Sequence, residues 1–291
     1  MIFSRQRNIG NFNLVINKVP IELKSEARFL GVIIDDKLTF RKHISALKAK
    51  MSRYIGVMYK LKFLLPIKVR LLIYHSFIQS HLNFCSLVWG FAAKSFINEL
   101  LTIQKKAIRA VMPGYVRYFY KDGVIPTHTK PAFNDYNILT VHNIIAKNTL
   151  LFMTKVTNIK GMLPTSIENL MPANAPNFNF KFREILMSPN KVPTCQNWLV
   201  NYNSITYRKS IFFKGPLLYK DFFEEFQKEG LGIILFNREN LVSCKKAITK
   251  FLVRCQSDGD PNEWQVTNNF LETVNGPRKS ARNIQLRNID Q

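Results

Sequence analysis

Two adjacent carboxylates, Asp35 and Asp36, close the apolar run "ARFLGVII". Paired aspartates at a strand end are the residue type that holds catalytic metal ions for phosphoryl transfer. That chemistry needs carboxylates from more than one structural element, gathered around ions ~3.5–4 Å apart. Within residues 1–98 the only other acids are Glu22 and Glu26. Asp36 leads into "KLTFRKHI", the start of a basic helix and not a returning strand. A strand stop and a helix-start carboxylate is therefore the preferred reading, and no catalytic or metal-binding residue is assigned.

Other chemistry is absent by pattern. No G-x-x-x-x-G-K-[ST] loop is present, and no G-x-S-x-G elbow or Ser/Cys with a clear base partner is found. His43, His75, His81, His128 and His142 do not form a ligand set by spacing. Cys85, Cys195, Cys244 and Cys255 include no C-x-x-C pair, and they read as reduced, buried thiols of an intracellular protein. Neither a zinc knuckle nor an endonuclease pattern appears, and "SDGDPNEW" reads as a turn. The first residues carry no secretory signal, so the expected location is nuclear or cytoplasmic. Leu71–Ala93 lacks charge, but its His, Gln, Asn and Ser residues favour a buried helix over a membrane span.

Charge is the strongest signal. Lys and Arg outnumber Asp and Glu by 42 to 19 in 291 residues, a net +23. Such an excess calls for a polyanionic partner, nucleic acid before an anionic membrane. The cations are also concentrated. Between Lys37 and Asn98 no acid occurs, while Arg41, Lys42, Lys48, Lys50, Arg53, Lys60 and Lys62 lie there unopposed, and Lys105, Lys106 and Arg109 form a second cluster. A helix surface without acids gives up the usual i,i+4 pairing. A phosphate backbone, whose counterions Lys and Arg displace, explains that loss.

Periodicity gives the scaffold that carries these residues. Residues 1–36 alternate as short antiparallel strands, with Pro20 at an edge or turn. Phe40, Ile44, Leu47, Met51, Tyr54, Met58 and Leu61 form one apolar stripe on a long helix, with Thr39 as its N-cap. Pro66 opens the next helix, "IKVRLLIYHSFIQSHL". Gly90 marks a break, and Ser95 caps "FINELLTIQKKAIRAVM". A further helix starts at Asn134 or Asp135, and "LVSCKKAITKFLVRCQ" is another. The fold class is α+β, mostly helical: a small N-terminal antiparallel sheet, a helical bundle over 37–160, a linker over 161–185, a mixed segment over 186–256 and a disordered basic tail over 257–291.

The order of "MIFSRQR", "ARFLGVIIDDKLTFRKHI", "IGVMYKLKFLLP", "LLIYHSFIQSHLNFCSLVWG" and "LLTIQKKAIRAVM" resembles the C-terminal part of a non-LTR retrotransposon reverse transcriptase of the jockey-like LINE type. "NILTVHNIIAKNTLLFM" and "YRKSIFFKGPLLYKDF" extend the resemblance over roughly residues 1–255. It implies a right-hand polymerase whose palm carboxylates precede Met1. Residues 1–36 would be a palm remnant in which Phe29, Leu30 and Gly31 form the primer grip, and the helices from Phe40 would be the thumb. The partners implied are RNA, DNA or an RNA–DNA hybrid, together with a separate palm and fingers segment. No small-molecule substrate is implied. Mg2+ is implied only for the full-length family enzyme, and no cofactor for this segment. Two other readings stand beside it: a host-adopted binding module without a polymerase role, and a decayed reading frame.

Overall fold

A computed structural model describes residues 14–112, 118–120, 123–125, 129–158, 215, 218–219, 222 and 241–258. The linker expected over 161–185, most of 186–240 and the tail beyond Asp258 lie outside these residues. The chain is α+β and mostly helical, as its sequence predicts.

The N-terminal strands form two separate hairpins and not one sheet. β1 (Val15–Ile16) pairs with β2 (Val19–Pro20), and β3 (Glu26–Phe29) pairs with β4 (Val32–Asp35). Both turn on two residues with positive φ, Asn17–Lys18 and Leu30–Gly31. Positive φ at both central residues is what the hairpin turn matching strand twist requires. Gly31 meets that requirement at φ 85° without penalty, whereas Leu30 at 45° is strained. β3 is wholly exposed, and β4 packs Val32 inward.

α1 (Arg41–Leu61) buries Ile44, Leu47, Met51, Ile55 and Met58, the predicted stripe with Ile55 added. Tyr54 and Leu61 are half-buried at its edge. The predicted second helix is continuous but not uniform. α2 (Ile67–Ile73) passes into a π-helical turn at Tyr74–Gln79 and returns as α3 (Ser80–Asn83). α4 (Ser86–Trp89) ends at Gly90, where a Cβ would lie 2.3 Å from the Ser86 carbonyl oxygen and 2.8 Å from Ile145 Cγ2. No side chain fits there, which is why the predicted break is a glycine.

α5 (Lys94–Val111) is the central helix, packed on α1 on one side and on α7 (Val141–Asn158) on another. A hairpin of β5 (Tyr118–Tyr120) and β6 (Gly123–Ile125) and a short α6 (Lys130–Asp135) precede α7. α7 therefore starts later than its sequence suggests. Asn134 and Asp135 belong to α6, and the buried Thr140 hydroxyl accepts the Asn143 N–H at 3.4 Å as the cap. α8 (Leu241–Asp258) packs on α7, and Phe222 meets Phe251 with ring centroids 5.5 Å apart.

Two buried glutamines tie the start of α7 into the core. Gln104 donates to the Tyr74 hydroxyl at 2.9 Å and to the Leu139 carbonyl at 2.8 Å, and accepts the Val141 N–H at 2.8 Å. Gln256 accepts the Thr140 N–H at 3.1 Å and donates to the Ile138 carbonyl at 3.2 Å. Each amide meets its partners on both sides, so the polar groups add specificity without an unsatisfied cost.

Candidate nucleic-acid interface

The basic helix sorts its cations by helical position. Opposite the buried stripe of α1 lie Lys42, Ala46, Ala49, Arg53, Gly56 and Lys60, spaced by three, four and seven residues and all exposed. From Lys42 to Lys60 this face runs ~27 Å at 1.5 Å per residue. That matches about eight phosphate steps of one strand at 3.4 Å each. The cations alternate with small residues, so a backbone can approach the helix closely.

Not every predicted cation stands on this face. Lys42 pairs with Glu26 at 2.5 Å but keeps 64% of its side chain exposed. Lys48 faces α5 and pairs with Glu99 at 2.8 Å. Arg41 also faces α5, with its guanidinium 5.9 Å from the Phe96 ring centroid. Lys105, Lys106 and Arg109 lie on α5 itself, away from the open stripe, and Tyr59 donates to the Lys106 carbonyl at 3.3 Å. Both ion pairs are exposed and so contribute little. They leave Lys42 and Lys48 accessible to a competing phosphate.

Lys62 corrects the sequence reading. It is buried, and its ammonium donates to the Arg109 carbonyl at 3.1 Å. Arg70, also buried, donates to the Met112 carbonyl at 3.3 Å. The two cations cap the C-terminus of α5, where unpaired carbonyls and the helix dipole favour positive charge. Burial, and then the neighbouring Arg70, hold the Lys62 amine below its ordinary range.

Beside the stripe is a cleft of about 640 Å³ between the β3–β4 hairpin, α1 and the α3 region. Arg28, Lys50 and Arg53 line it, and among the described residues no carboxylate does. Arg28 is a cleft residue that the charge count of α1 misses. Strand alternation could have found it, since it pairs with Ile33 on the cleft side of the hairpin. His43 and His81 complete the wall. His43 Nδ1 accepts the Ile33 N–H at 3.4 Å, and burial lowers its pKa. Ser80 donates its hydroxyl proton to the Ser76 carbonyl, and its oxygen lies 3.3 Å from His81 Nδ1. His81 Nε2 is buried and has no hydrogen-bond partner among the described residues. Burial, and then the Lys50 charge, lower the pKa of this imidazole from its ordinary 6.5. The π-turn just before Ser80 sets the register that brings Ser80 and His81 to the cleft.

Phe29 and Leu30 form the hairpin tip at 64% and 76% exposure, and Gly31 lines the cleft. A Cβ on Gly31 would lie 3.3 Å from the Phe84 ring.

Asp35, the first of the aspartate pair that could have done chemistry, does structural work. The Asp35 carboxylate accepts the Thr39 N–H and hydroxyl at 2.9 Å each and the Phe40 N–H at 2.8 Å. It holds a loop in which Leu38 and Phe40 both have positive φ. The predicted Thr39 cap is thus one step removed. Phe40 is the capping position, the Thr39 hydroxyl accepts the Arg41 N–H at 3.4 Å, and Asp35 orients Thr39. Among the described residues, no three His, Cys, Asp or Glu side chains are grouped to hold a metal ion. No described helix is long and apolar enough to cross a membrane.

Comparison with curated proteins finds relatives over part of the chain. The chain is 22% identical over 160 residues to a probable RNA-directed DNA polymerase from transposon X-element of Drosophila melanogaster, covering 54% of this chain and 17% of that protein. It is 28% identical over 169 residues to the corresponding protein of transposon BS, also from Drosophila melanogaster, covering 53% and 17%. It is 32% identical over 113 residues to the RNA-directed DNA polymerase from mobile element jockey of Drosophila funebris, covering 36% and 12%. The chain is a homologue of non-LTR retrotransposon reverse transcriptases. It spans less than a fifth of the length of these reverse transcriptases. No protein-family model matches the chain, and no solved structure matches it significantly.

Proposed function

We propose that this chain is the duplex-gripping part of a retrotransposon reverse transcriptase, holding RNA–DNA or DNA duplex by its phosphates and doing no polymerase chemistry by itself. The observation that carries the proposal is the open face of α1. Lys42, Arg53 and Lys60 stand there with small residues between them, and no acid occurs between Lys37 and Asn98. The cleft beside it adds Arg28, Lys50 and Arg53, with no carboxylate among the described residues that line it. The homology supports nucleic acid as the partner class. The Phe29–Gly31 tip, which borders the cleft, takes the strand end in this reading. Asp35 is engaged at the start of α1, which fits a grip better than a metal centre.

The test is fluorescence anisotropy on a labelled RNA–DNA hybrid across a salt series. Wild-type affinity falls with salt at a log–log slope of about -0.9 per neutralised phosphate. Arg53→Gln with Lys60→Gln makes the slope shallower by about 1.8 if each cation neutralises one phosphate. An unchanged slope, or no binding at low salt by a folded sample, overturns the proposal.

A further inference from the structure

The α1–α2 turn carries the most exposed large apolar pair of the described chain. Phe63 is 91% and Leu64 76% exposed, side by side. The turn is nonetheless ordered. The Leu64 and Leu65 N–H groups both donate to the Leu61 carbonyl at 3.0 Å, and Pro66 fixes the start of α2. On either side of the turn, Lys62 and Arg70 are anchored to the carbonyl end of α5. The apolar pair is therefore held outward by a clamped backbone and is not the loose end of a mobile loop.

Its surroundings select what it can meet. Lys60 and Lys68 flank the tip and are exposed, and no acid lies within the surrounding sequence from Lys37 to Asn98. A cationic collar favours a polyanion, and an aromatic–aliphatic pair favours a polyanion that offers flat apolar faces. Nucleic acid supplies both in alternation. Lys60 is also the last cation of the open α1 face, three residues before Phe63, so a duplex lying along that face reaches the tip within about one helical turn. Apolar side chains placed this way enter between base steps.

We propose that Phe63 and Leu64 form a wedge that inserts into the base stack of the duplex held along α1. This rests on the duplex-gripping reading above and adds a contact that does not depend on charge. Because the turn is already ordered, insertion spends little conformational freedom. Base–aromatic stacking is also tolerant of sequence, so the wedge fixes position along the duplex without selecting a site.

The test uses the full chain and a set of duplexes with 2-aminopurine at successive positions, together with the anisotropy salt series. The wild type raises 2-aminopurine emission at one or two adjacent positions only. Phe63→Ala/Leu64→Ala abolishes that rise and lowers affinity about tenfold at every salt concentration, leaving the slope unchanged. Phe63→Trp restores both. Both side chains are solvent-exposed, so the melting curve of the double variant should match the wild type. Salt-dependent binding by the wild type with no local rise, or with affinity indifferent to the tip, overturns the wedge and leaves the grip standing. No binding by the wild type overturns both. Co-sedimentation with phosphatidylserine vesicles that is lost in the double variant, while duplex affinity is kept, makes the tip a membrane contact and also overturns the wedge.

Discussion

Asp35 shows how a residue with catalytic potential is taken up by structure. Partial burial, the largest single influence, raises its carboxyl pKa. The hydrogen bonds from Thr39 and Phe40 together outweigh burial and hold it below the ordinary 3.8. A carboxylate held low stabilises the fold above its unfolded value, and that contribution disappears as pH falls through the folded value. Asp35→Asn should cost about 1–2 kcal/mol at pH 7, and the gap to wild type in urea midpoints should narrow once the pH falls below the ordinary 3.8. An equal gap at both pH values would mean that charge plays no part. His142 titrates in a different window. It is buried, and its Nε2 lies 3.0 Å from the Asn98 side-chain oxygen. Burial, then Lys94 and Lys105, push its pKa from 6.5 down to about 4. Here the unfolded chain binds the proton first, so stability is lost as pH falls from about 6.5 to 4 and is flat in this respect below. The loss attributable to His142 is at most about 3 kcal/mol. His142→Gln should flatten urea midpoints between pH 7 and pH 4.5, and a variant with the wild-type slope would show that other groups carry it. The sequence places Asp35 at a strand end and helix start, and its carboxylate accepts the Thr39 and Phe40 N–H groups there. It could not find the burial of His142, which depends on α5 and α7 meeting.

At the scale of elements, apolar spacing was a good guide and helix ends were a poor one. The α1 stripe is visible in sequence because one face meets α5 along its whole length. The caps of α1 and α7 were displaced because Asp35 and Thr140 lie outside the pattern that periodicity reads, and the π-turn after α2 leaves no periodic trace over six residues. Lys62 resembles a phosphate contact for the same reason: in sequence a lysine at a helix end looks exposed, and only the approach of the α5 terminus turns it inward. Lys62→Met should therefore lower stability by about 1–3 kcal/mol and leave the salt slope of duplex binding where it was. A shallower slope with unchanged stability would return Lys62 to the interface. Gly90 is the counterpart where sequence was sufficient, since a break inside an apolar helical run marks a close approach. With Ser86 and Ile145 against the position of any Cβ, Gly90→Ala forces α4 from α7. It should cost about 3 kcal/mol, read as a fall in urea midpoint.

Across the whole molecule, two opposed surfaces decide behaviour in solution. The net charge of +23 keeps copies apart. The N-terminal hairpins do the opposite: Val15, Ile16, Val19, Phe29 and Leu30 are each at least 56% exposed, and short strands with open edges invite pairing with another chain. Salt shifts the balance. Raising ionic strength from about 0.1 M to 1 M shortens the screening length from ~10 Å to ~3 Å, which removes the repulsion and leaves the apolar attraction intact. The chain should sediment as a monomer at low salt and self-associate at high salt. Ile16→Lys with Val19→Lys should keep it monomeric throughout, without altering the slope of duplex binding. Salt also weakens the grip on phosphates, so a wild-type binding series mixes two effects in the same direction. The hairpin variant separates them. If its binding still falls with salt while its sedimentation coefficient stays constant, the loss belongs to the phosphates. If binding becomes indifferent to salt once association is blocked, the apparent clamp was association, and the basic face of α1 holds nothing.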